Sequence, residues 1–94
     1  MNVDQATIYF FKQLYWDYNI SEADIASIIE HGEYNGITRK NLLARALQYR
    51  RWYEIKNVLS TELLKEALSE DVLRTLFPRS LSHQYNYVKK LLYQ

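Results

Sequence analysis

The chain has no cysteine, a single proline, two glycines and two histidines in 94 residues. Each shortage removes a class of answer. Without cysteine there is no disulfide framework and no thiolate metal site, and a reducing cytoplasm is the expected location. So little glycine and proline cannot punctuate the many tight turns of an all-β fold, and it also argues against disorder. No apolar run approaches the roughly 18 residues a membrane span requires, and the N-terminus lacks the pattern of a signal peptide, so no membrane partner is expected. His31 and His83 share no metal-ligand spacing, whereas zinc needs three or four ligands. Glu30, His31 and Glu33 are the nearest approach to a ligand set. His31 reads better as a dipole or capping group at a helix C-terminus. Gly32 and Gly36 stand apart from any Lys-Ser/Thr phosphate loop, and no serine occupies a nucleophile elbow. Glu62, Glu66, Glu70 and Asp71 fit a solvated helical face better than a carboxylate pair. The expectation is a chain without catalytic residues, metal or cofactor.

What is present is a globular composition, with 48% hydrophobic and 24% charged residues. At this length it forms one domain over residues 1–94. Aromatics reach 15%, and nine of them are tyrosines, which suit cores and interfaces alike because each joins an apolar ring to a polar tip.

The net charge of +1 hides an uneven distribution. Residues 1–36 hold Lys12 against Asp4, Asp17, Glu22, Asp24, Glu30 and Glu33, a net of −5. Residues 37–56 hold Arg39, Lys40, Arg45, Arg50, Arg51 and Lys56 against Glu54, a net of +5. Residues 57–94 come to +1. An acidic third beside a basic third either pairs within the fold or across a homodimer, or offers a basic patch to an acidic partner.

Apolar spacing is helical throughout. Val3, Thr7, Phe10, Leu14 and Tyr18 recur at three- and four-residue steps, predicting a helix over about 4–16 with Asp4 as N-cap. Ser21 followed by Glu22 and Asp24 opens a second helix, with Ile25, Ile28 and Ile29 inward and Gly32 just past its end. Residues 33–36 read as a turn. Thr38 caps a basic helix whose Leu42, Leu43, Ala46 and Leu47 span an arc of roughly 140°. Continued unbroken, that helix would point Arg50 into its own apolar arc, so a break is predicted near 49–51. A new helix restarts at Trp52, and another follows Ser60 or Thr61. A short one starts at Ser69 and ends before Pro78. A last helix carries Leu81, Tyr85, Val88, Leu91 and Leu92 as an apolar stripe. No run alternates long enough to predict a strand. The fold class is all-α: a compact single-domain bundle of five to seven short helices, partly stacked helical hairpins across 39–76.

The triplet Tyr15-Trp16-Asp17 resembles the opening of a small bacterial helical domain family. Leu43-Ala44-Arg45-Ala46-Leu47-Gln48-Tyr49, the Trp52-containing helix, the Lys/Glu/Leu helix over 62–68 and the Leu81-Ser82 start of the closing helix are similar to the later segments of that family. The resemblance spans about 15–92. It departs at Arg50, where the family has glycine after tyrosine. Members are often encoded beside nucleotidyltransferase-type toxins, so the resemblance implies an antitoxin-like role and brings no catalytic residues.

From the residues themselves, Trp16 and Trp52 are expected to be structural. Trp16 would bury its ring, and Asp17 would cap or pair with an arginine of the 39–51 segment. A buried pair of that kind contributes on the order of 1–3 kcal/mol. Arg39, Lys40 and Arg45 are then the candidates for binding a partner. Arg50 and Arg51 are expected to mark the helix break and to pair with the acidic N-terminal third. Two functions fit. One is a non-enzymatic protein-interaction module, whose partner is a protein such as a toxin encoded nearby. The other is a small DNA-binding regulator using a helix-turn-helix-like pair at 22–31 and 38–49. Against the second, the connection is longer than usual and the first helix is acidic.

Overall fold

The computed structural model describes residues 4–93. Val3, the first residue of the predicted N-terminal stripe, lies outside them. Seven α-helices and one two-stranded ribbon make up the described chain, which is the all-α fold expected.

Local capping chemistry sets most of the boundaries. α1 (Gln5–Leu14) starts where the Asp4 carboxylate accepts the Thr7 amide at 2.8 Å. It stops at Leu14, sooner than predicted, so Tyr18 belongs to the connection. Lys12 holds that connection by donating to the Ile20 carbonyl at 2.6 Å. α2 (Glu22–His31) begins with a full capping box. Ser21 accepts the Asp24 amide, and the Asp24 carboxylate accepts the Ser21 amide, both at 3.1 Å. Gly32, at φ +93°, ends it in the left-handed conformation that glycine adopts without strain.

Residues 33–38 form more than the predicted turn. β1 (Glu33–Tyr34) and β2 (Ile37–Thr38) pair antiparallel, with Glu33 opposite Thr38 and Tyr34 opposite Ile37. Asn35 and Gly36 join them with φ of +54° and +81°. Asn-Gly with both φ positive is the two-residue hairpin turn whose twist matches paired strands. The strands are too short for alternation to announce them.

Thr38 and Asn41 form the second reciprocal cap and open α3 (Arg39–Tyr49). The chain breaks at Arg50, which is extended at φ −127°, and restarts as α4 (Trp52–Val58). The break keeps the Arg50 guanidinium out of the core, as its place on the apolar arc predicts. α5 (Thr61–Ala67) is capped by Ser60, α6 (Glu70–Leu73) follows Ser69, and α7 (Arg79–Tyr93) closes the described chain.

The core is one cluster with α3 at its centre. Leu42, Leu43, Ala46 and Leu47 are wholly buried, and α1, α4, α5 and α6 all pack on α3. The helices of 39–76 therefore gather round α3. α2 packs on α1 and on the hairpin strand β1. Thr7, the fully buried polar residue among those described, is satisfied: its hydroxyl donates to Asp4 and reaches the Val58 carbonyl at 3.3 Å, tying α1 to α4.

α7 departs from expectation. Only Tyr85 on its apolar stripe is fully buried, edge-on to Trp52 with centroids 6.0 Å apart. Leu81 and Val88 are half-buried, and Leu91 and Leu92 are exposed. α7 runs roughly 22 Å and packs on α6, which is about one turn; farther along it meets Trp52 of α4 through Tyr85 and Lys65 of α5 through Tyr93. Among the described residues no helix is long and apolar enough to cross a membrane.

Candidate functional site

Three basic residues of α3 were the sequence's candidates for a partner, and the structure engages all three with the chain's own carboxylates. The Arg39 guanidinium forms a two-pronged pair with Glu66 of α5, at 2.8 and 3.0 Å. Its third nitrogen donates to the Ile29 carbonyl at 2.7 Å, satisfying a free carbonyl of the last turn of α2. One side chain thus fastens α2, α3 and α5, and the hydrogen-bonded Glu66 raises the arginine pKa further. Lys40 bonds Asp71 of α6 at 2.8 Å on the surface. The lysine holds the Asp71 carboxyl below the usual carboxylate range. The basic helix is thus neutralised largely by α5 and α6, and less by the acidic N-terminal third.

Arg45 is the exception that does reach the N-terminal third. Its Nε donates to the Leu14 carbonyl at 2.7 Å and its Nη2 to Asp17 at 2.9 Å. Its guanidinium also lies 4.5 Å from the centre of the Tyr15 ring and 5.2 Å from those of Tyr18 and Tyr49. The planar cation stacks on ring faces while its edge serves the carbonyl and the carboxylate, a combination that a lysine cannot reproduce. The predicted partnership of Asp17 with an arginine of 39–51 is therefore present. It is not a buried one, because the Asp17 side chain keeps 43% of its exposure.

Trp16 corrects the sequence reading. Its ring, expected in the core, is 83% exposed. The chain turns at 15–17 immediately after α1, and Tyr15 takes the inward position instead, at 4% exposure. Trp52 does serve the fold, half-buried against Tyr85.

Trp16 stands at one wall of a groove of about 280 Å³, with Asp17 and Arg45 in its lining and Tyr49 and Arg50 on the α3 side. Tyr49 is also exposed. Arg50 was expected to pair with the acidic third; its near carboxylate is Glu54, at 3.8 Å. Across the Arg45–Tyr49 ridge lies a second open groove of about 450 Å³, bordered by Tyr18, Asn41 and Gln48. The surface thus presents Trp16, Tyr18, Tyr49 and Arg50 round a cation locked in place. Tyr49 and Arg50 were not singled out as binding residues by sequence. The available signal was Tyr49's place outside the apolar arc of α3, next to a helix break.

Among the described residues no group of three or more His, Cys, Asp or Glu side chains is placed to hold a metal ion, and His31 meets Glu30 alone, at 3.8 Å. Between α2 and α3 stands the β-hairpin, in place of the tight turn of a helix-turn-helix. No family model, curated protein or solved structure matches this chain.

Proposed function

We propose that this chain is a small non-enzymatic module of the cytoplasm that binds a partner protein through the Trp16–Tyr49–Arg50 surface. In the antitoxin-like form implied by its resemblance, the partner is a nucleotidyltransferase-type toxin encoded beside it, and binding neutralises it. The observation that supports this is Trp16. A tryptophan ring left 83% in water adds nothing to the core, and here it adjoins an exposed tyrosine and an arginine. Trp, Tyr and Arg are the residue types that dominate interface energetics, and they do so around desolvated pockets. The locked Arg45 supports the same reading. It fixes the 15–18 turn and the end of α3 relative to each other, so the surface is formed before a partner arrives.

The test is binding to the product of the adjacent gene, measured by calorimetry. Trp16→Ala and Tyr49→Ala are each expected to weaken binding by about 30-fold or more while leaving the helical circular dichroism unchanged. Lys40→Gln is expected to leave it unaltered. Unchanged affinity in both aromatic variants would rule this surface out. Binding of random duplex DNA at low salt that is lost on replacing Arg39 and Lys40 would favour the regulator reading instead.

A further inference from the structure

The last acidic residue of the chain is Asp71. Beyond it come Arg74, Arg79, Lys89 and Lys90 with no carboxylate side chain between them. Averaging over 57–94 hides this, because Glu62, Glu66, Glu70 and Asp71 all fall earlier.

The fold gathers these cations on one side. α7 carries two stripes of identical spacing. Leu81, Tyr85, Val88 and Leu92 form the apolar one, and Arg79, His83, Asn86 and Lys90, two residues earlier at each step, form the outer one. Two residues turn a helix by about 200°, so the stripes lie back to back. All four outer residues are exposed, and the row runs roughly 16 Å along the helix. Among the described residues Arg79, Lys89 and Lys90 form no ion pair, unlike the cations of α3.

At its N-terminal end the row opens into two adjoining grooves, of about 410 and 400 Å³, that share Arg74, Arg79, Ser82 and His83. Glu70 borders the second and meets Arg74 at 3.7 Å, leaving Arg79 and Lys89 unopposed. Phe77 stands in the wall of the first with its ring 81% exposed. Its backbone is held by the Gln48 side chain at 3.1 Å, so the ring is displayed from an anchored position. Tyr87 is exposed on the flank of the basic row.

We propose that the α6–α7 corner and the outer face of α7 form a binding site for single-stranded nucleic acid. Arg79, His83, Lys89 and Lys90 would track the phosphates, and Phe77 would receive an unpaired base on its ring. Unpaired cations on one side of the helix supply backbone attraction, and exposed aromatic rings supply stacking that paired bases in a duplex cannot use. An acidic peptide would use the cations and leave Phe77 idle. This surface is separate from the Trp16 groove, and the proposal stands whether or not that groove binds a protein.

The test is fluorescence anisotropy of a labelled oligouridine of about ten nucleotides with the full chain. Affinity is expected to fall with salt on a log–log slope of about −2, as neutralisation of three phosphates by Arg79, Lys89 and Lys90 gives on a single strand. Phe77→Ala should weaken binding about fivefold or more with the slope unchanged. The double variant Arg79→Gln, Lys90→Gln should flatten the slope by about 1.4. Lys40→Gln should change neither. The substituted side chains are exposed, and circular dichroism checks that each variant folds. The proposal is overturned by absence of binding at low salt, by full affinity in Phe77→Ala, by equal affinity for duplex, or by equal competition from polyglutamate.

Discussion

Arg45 concentrates more of the structure in one side chain than any other surface residue. It bonds the last carbonyl of α1, pairs with Asp17 and faces three tyrosine rings. Its own side chain is 20% exposed, whereas that of Asp17 is 43%. The two partners therefore contribute unequally. Arg45→Ala is expected to cost about 2 kcal/mol, from the lost carbonyl bond and the stacking. Asp17→Ala should cost under about 1 kcal/mol, because a half-exposed ion pair is weak. Urea denaturation of the two variants checks the order. Equal losses would mean that the ion pair, and not the stacking, carries the contact. Arg45→Lys should restore little, since an ammonium cannot stack flat and reach Leu14 and Asp17 together.

At the scale of the element, the short helices depend on their first residues. Ser60 and Ser69 occupy the same position, before α5 and α6, and only Ser60 makes the cap bond, accepting the Leu63 amide at 3.2 Å. Among the described residues the buried Ser69 hydroxyl has no hydrogen-bond partner. Ser60→Ala is expected to destabilise by about 1 kcal/mol. Ser69→Ala should be neutral or stabilising, because it removes an unsatisfied buried hydroxyl. Thermal melts of the pair distinguish them, and a loss in Ser69→Ala equal to that in Ser60→Ala would overturn the assignment. Sequence alone makes the two serines equivalent, each followed by acidic residues in a first turn. Only the surroundings of the hydroxyl separate them.

For the whole molecule, stability is held by titrating groups at both ends of the pH scale. Burial raises the Tyr15 and Tyr85 phenols above their ordinary value of about 10, with the Arg45 charge partly opposing the rise at Tyr15. The unfolded chain then loses these protons first. Their contribution is complete below about pH 10 and is lost as pH rises through the folded values. On the acid side, hydrogen bonds from Thr7 hold Asp4 low and Lys40 holds Asp71 low. Their contribution is present above the usual carboxylate range and fades as pH falls through the lowered values. The urea midpoint is expected to decline above about pH 10, and Tyr85→Phe should make that decline shallower. An equally steep decline in the variant would show that Tyr85 is not its source.

Most of the architecture was legible in the residues. The caps at Asp4, Ser21, Thr38 and Ser60, the Gly32 stop and the break at Arg50 all follow from side chains and amides a turn apart, and those relations hold in any helix of this sequence. The hairpin was marked by Asn35-Gly36 alone, because two-residue strands leave no period. The surface was legible only in part: the arginine partner of Asp17 was expected, the engagement of Arg39 and Lys40 was not. Arg39, Lys40 and Arg45 meet carboxylates 27, 31 and 28 residues away, and nothing local tells a cation that will be paired from one that will stay free. The same holds for Trp16 and Tyr15, adjacent aromatics of which the turn after α1 sends one inward. Most helix boundaries are local, because caps and stops act within a turn, although α1 ends two residues before its periodicity does. Which charges and rings stay in water depends on which elements the core brings together, and no local energy carries that information.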